Sequence, residues 1–176
     1  SGDGLGPGGM GPRSGDAHFI VMMIPHHEGA IAMAELARSR ARHAGIRALA
    51  DRIRVSQSRE IDQMRLWYRQ WFGTPVPLWP GAGRAWGMGA GMGQGMGLPG
   101  MGTSLSALAA AADFDRAFLE QMIAHHRMGV MMASHAQWSS QHPQLRDLEA
   151  AMVRVQSDEI AQMEQWYRQW YAPAVR

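Results

Sequence analysis

The sequence predicts an all-α protein in which four long helices, arranged as two copies of one hairpin, pack into a single bundle. Two observations carry this expectation. Sliding the sequence on itself by about 99 residues aligns Asp16–Phe72 with Asp115–Tyr171 without a gap, and roughly 23 of about 57 pairs are identical. Within each copy, apolar residues recur at alternating steps of three and four, the period of one helix face, and no stretch alternates as a strand would.

In the first copy Asp16 is placed to cap a helix whose inner face reads Phe19, Met23, His26, Ala30, Met33, Ala37. A break falls at His43–Gly45. The next helix carries Leu49, Ile53, Gln57, Glu60, Met64, Trp67 and Trp71 on one face and stops at Gly73. The second copy repeats the pattern, with Pro143 suited to a first helical turn. Pro25 falls inside the first helix, removes a backbone hydrogen bond and is expected to kink it. Of 21 glycines, 18 lie in residues 1–15 or 73–102, where little apolar surface is available for burial. Residues 1–15 are therefore expected to be a disordered tail, 16–72 the first hairpin, 73–112 a Met/Gly-rich crossover and 113–171 the second hairpin. Two hairpins joined by one long crossover give a four-helix bundle of ferritin-like topology, one domain over residues 16–171.

Composition narrows the function. The chain has 176 residues, no cysteine, and a net charge of only +2, with all 17 basic residues arginine. Disulfides, thiolate metal sites and a cysteine nucleophile are excluded. The basic residues alternate with acids, so nucleic acid is not an expected partner. The longest apolar run, Phe19 to Ile24, is far too short for a membrane span of ~20 residues. No nucleophile–base arrangement stands out, and the GxG strings at residues 87–97 follow no strand.

The seams that should be apolar contain His26, His125, Gln57, Gln156, Glu60 and Glu159, in both copies. An unpaired buried carboxylate is costly and calls for a cation or a strong hydrogen-bond partner. If the first hairpin turns near residue 44, His26 and His27 lie opposite residues ~61–62, since antiparallel helices climb equally at ~1.5 Å per residue. Glu60 and Met64 flank that level, as Glu159 and Met163 flank that of His125 and His126. Met22–His26, Met23–His27 and Met122–His126 are each one turn apart. Met33 and Met132 complete the repeated thioethers. Imidazole with thioether favours copper: Cu(I) ahead of Cu(II), and both ahead of zinc or magnesium. Met88, Met92, Met96 and Met101, set among glycines, could add soft donors from the crossover.

The motif HHxxxxxMA in IPHHEGAIAMAELA, followed by QSREIDQMRLW, resembles the family known as domain of unknown function 305. The second copy, MIAHHRMGVMMASHA with QSDEIAQMEQW, is similar. The resemblance covers about two-thirds of the chain. It implies a ferritin-like bundle and an exported or periplasmic copper-binding protein of copper tolerance, here a mature form whose leader is removed. It carries to His26, His27, Met33, Glu60, Met64 and their second-copy partners. In the second copy Pro25 becomes Ala124 and Glu28 becomes Arg127, so the halves are not expected to bind metal equally.

Three functions remain open: a copper buffer or chaperone that hands copper ions to another copper-handling protein, a dinuclear metal oxidoreductase, and a structural bundle in which the polar layer fixes register. The first is expected. Glu-x-x-His pairs, which dinuclear bundles use, are missing from the seams. Any single seam methionine is as well explained by core packing. His43 and His142 sit ~26 Å along the helix from the pairs and are assigned to turn stabilisation. His18 and His135 are assigned to the surface.

Overall fold

In a computed structural model, residues 15–78 and 104–171 are described. The calls on the tail up to residue 14 and on Met88, Met92, Met96 and Met101 lie outside them. Among the described residues there are five helices and no strand: α1 Gly15–Arg40, α2 Ala44–Phe72, α3 Leu105–Ala109, α4 Phe114–Gln137 and α5 Pro143–Tyr171. α1 packs on α2 and α4 on α5, and α1 packs on α4 to join the hairpins.

Local chemistry sets the boundaries. α2 ends where Gly73 takes a left-handed conformation (φ 78°) and returns its N–H to the Arg69 carbonyl, which a β-carbon would disfavour. Asp113 caps α4 by accepting from the Arg116 N–H. α1 runs unbroken through Pro25. The crossover is not featureless: Ser104 caps α3 by accepting from Ala107 N at 3.1 Å, and Leu108 is buried in the core. The Arg40 guanidinium donates to the carbonyls of Ala109 and Ala111, pinning this end of the connection to α1.

Asp16 does not cap its own helix. Its carboxylate accepts from Gln141 N (3.1 Å), His142 N (2.9 Å) and His142 Nδ1 (2.6 Å), closing the turn that starts α5 in the other repeat. Asp115 does the same across the molecule, accepting from Arg42 N, His43 N and His43 Nδ1. Each turn histidine also stacks on a tryptophan of its partner repeat's hairpin: His142 on Trp71 at 3.6 Å and His43 on Trp170 at 3.5 Å. The halves are thus clasped at both ends. At the Asp16–His142 clasp the repeat is imperfect. Ser140 and Glu149 replace Ala41 and Ala50, and Ser140 Oγ donates to the fully buried Glu149. Burial pushes that carboxyl up to about 7, opposed by the Ser140 hydrogen bond.

The core is two apolar clusters. One joins Met33, Ile46, Leu49 and Ile53 to Phe118, Met122 and Met163. The other joins Phe19, Ile20, Met23 and Met64 to Ala133, Leu145 and Met152. The early half of α1 therefore lies level with the late half of α4, so these helices run antiparallel. Residues 26–27 and 125–126 fall between the clusters, at a polar waist.

Candidate metal centre

Adjacent positions on a helix point about 100° apart, so the two histidines of a pair cannot face the same neighbour. His27 turns into its own hairpin. Its Nε2 donates to Glu60 Oε1 at 2.9 Å, and His126 Nε2 donates to Glu159 Oε1 at the same distance. His26 turns instead toward α4, where its ring stacks on His125 with centroids 3.7 Å apart and planes 17° from parallel. Of each histidine pair at the level of its glutamate, one ring meets the acid and the other meets its copy across the repeat.

All four rings are 0–1% exposed. Both nitrogens of His26 and of His125, and Nδ1 of His27 and of His126, have no hydrogen-bond partner, nor do Gln57 Oε1 and Gln156 Oε1. A buried polar group left without a partner costs about 1–3 kcal/mol, so these atoms call for one from outside the protein. Burial first, then the neighbouring His27 and His126 rings, hold His26 down to about 3, and burial with His26 beside it holds His125 well below its usual value. Both imidazoles are therefore neutral at physiological pH, with lone pairs free to bind a cation.

Among the described residues, buried methionines of both repeats meet in each cluster: Met23, Met64 and Met152 in one, with Met132 packed against it, and Met33, Met122 and Met163 in the other. Met22 is half-buried and belongs to neither cluster. A groove of about 730 Å³ opens between α2 and α5, and Glu159 lines it beside Arg59, Val155 and Asp158. The His126–Glu159 pair thereby reaches water through its carboxylate.

Residues 16–167 match the family described as domain of unknown function (DUF305). The chain belongs to the DUF305 family. Among solved structures it is similar to CopM in its Cu(II)-bound form, at 45% identity and a TM-score of 0.76, covering 89% of this chain and 97% of that one. CopM in its Cu(I)-bound form matches at 43% identity and a TM-score of 0.75, with the same coverage. A DUF305 protein from Streptomyces coelicolor matches at 27% identity and 0.75, covering 93% of this chain and 98% of that one. A comparison with curated proteins finds no match.

Within this DUF305 bundle, no group of three or more His, Asp or Glu side chains among the described residues is placed to hold a metal ion. The apolar clusters on either side of the waist carry the buried thioethers. The sequence singled out Gln57 and Gln156 on the seams without giving them a part in the site. Gln156 in fact closes the waist: a β-carbon on Gly129 would come within 2.7 Å of its Oε1 and 3.0 Å of His26 Cε1. The repeat offset places Gly129 against Ala30, and that swap to glycine beside a seam histidine was the available signal. No helix among the described residues is long and apolar enough to cross a membrane.

Proposed function

We propose that the protein binds copper, Cu(I) in preference to Cu(II), and serves outside the cytoplasm to sequester, buffer or deliver it to another copper-handling protein. The observation that carries this is the set of six buried imidazole nitrogens that find no hydrogen-bond partner among the protein's own groups. Proteins satisfy buried polar groups, and a fold that leaves these open in both repeats is better explained by a ligand than by packing. Neutral imidazole and thioether together suit a soft monovalent ion. The CopM structures with Cu(I), Cu(II) and Ag support the same class of cargo.

The proposed ligands are His26, His27, His125 and His126 with Met23, Met33, Met64, Met122, Met132 and Met163; Met22 is the outlier of the set. Glu60 and Glu159 take a different part. With Nε2–H donated to the carboxylate, the lone pair of His27 or His126 sits on Nδ1, and the acid fixes that tautomer and strengthens the nitrogen as a donor. One carboxylate per half is too few for a carboxylate-bridged dinuclear oxidase.

Binding only to the folded state must raise the melting temperature. At about 100 times Kd, Ag(I), or Cu(I) under reductant, should stabilise by about 2.7 kcal/mol, which is roughly 5–10 °C for a chain of this size. Zn(II) and Mg(II) should have little effect. Melting curves unmoved by Ag(I) and Cu(I) would remove the proposal.

A further inference from the structure

The two histidine sites are not independent. We infer that the repeats bind their ions anticooperatively, because the stacked His26 and His125 rings transmit the charge of one site to the other. This rests on the metal-binding function proposed above and concerns how that site fills.

The rings lie face to face at 3.7 Å, and each is about 1% exposed. An imidazole that gives its lone pair to a cation loses electron density from its whole ring. Two such rings in contact repel, and outside water that repulsion is several-fold less screened. The carboxylates that could neutralise it are elsewhere: Glu60 and Glu159 are bonded to the His27 and His126 rings, not to the stacked pair.

Space beside the stack is tight: a β-carbon on Gly129 would come within 3.0 Å of His26 Cε1 and 2.7 Å of Gln156 Oε1. Binding at the second half therefore sets one electron-poor ring against another, or forces the stack to open before the second ion binds. Either way the second ion binds more weakly, and by reciprocity the same factor applies whichever half fills first.

The test is a competition titration with Ag(I) on the whole chain and on two half-site variants, His26→Phe/His27→Gln and His125→Phe/His126→Gln. Phenylalanine keeps an aromatic face against the surviving histidine while removing the ligand. Each variant gives the affinity of one half alone. In the unaltered protein the second ion should bind at least fivefold more weakly than the same half binds by itself. Any smaller weakening, or a tightening, when both halves bind alone overturns the coupling and leaves the function standing. If the whole chain fails to bind Ag(I), the function falls and the coupling with it; if the whole chain binds but at least one half alone does not, the coupling is overturned and the function stands. Should a phenylalanine variant lose its helical circular dichroism, the leucine counterpart at position 26 or 125 supplies the same affinity.

Discussion

Replacing His26 and His125 together by leucine is expected to weaken copper binding at least about a hundredfold and, without metal, to make the bundle more stable. The substitution removes four buried nitrogens that have no partners and fills their space with carbon. Each unpaired buried polar group costs about 1–3 kcal/mol, so a net gain of about 1–3 kcal/mol after imperfect repacking is expected. A binding site maintained against stability predicts this opposition, and a packing residue does not.

The acid side sharpens the contrast. Burial depresses His26 to about 3 in the folded state, against an ordinary value of 6.5. The unfolded chain thus binds the extra proton. The stability associated with the neutral ring is complete above about pH 6.5 and is lost as pH falls from there toward 3, by about 1.4 kcal/mol per pH unit for this one ring. His125 adds to the loss in the same direction. Urea unfolding at pH 7.5 and pH 5.0 should show the leucine variant pulling further ahead at the lower pH. Equal pH dependence in the two proteins would mean that the rings are not dry.

The second large effect is at the clasps. Asp115→Ala should lower the unfolding free energy by about 2–4 kcal/mol, and Asp115→Asn by less. The carboxylate is 2% exposed and accepts from two backbone N–H groups and one imidazole of the opposite repeat. Burial pushes its carboxyl up, but donation from Arg42 N and His43 outweighs it and holds the group below the usual carboxylate range. Its contribution is therefore present above the ordinary pKa near 4 and lost as pH falls below it. Denaturant melts of both variants check the size. A change below about 0.5 kcal/mol would show that the turn holds without the acid.

The fold was legible because duplication doubles every signal: a seam histidine or a helix stop in one half is corroborated 99 residues on. The level of Glu60 against His27 followed from helix rise alone, since both belong to one hairpin. The pseudo-twofold of the repeat points to the two histidine sets meeting in the core, but the detailed pairings between hairpins were not legible. Nothing in the spacing says that His26 rather than His27 faces His125, that Asp16 serves the turn at His142, or that Met33 joins Met122 and Met163 rather than its own repeat's Met23 and Met64. Those pairings depend on how α1 sits against α4, which the period of a single helix does not encode. Glu149 was hidden for another reason: where the halves differ, the repeat supplies no second copy to check against.

The central claim is that copper is held by imidazole and thioether together. X-ray absorption at the copper edge on Cu(I)-loaded protein tests it most directly. Nitrogen and sulfur scatterers in the same first shell are the predicted result, with the nitrogen shell lost in the protein lacking all four paired histidines. A shell of sulfur alone, or of oxygen alone, in the unaltered protein would contradict the account.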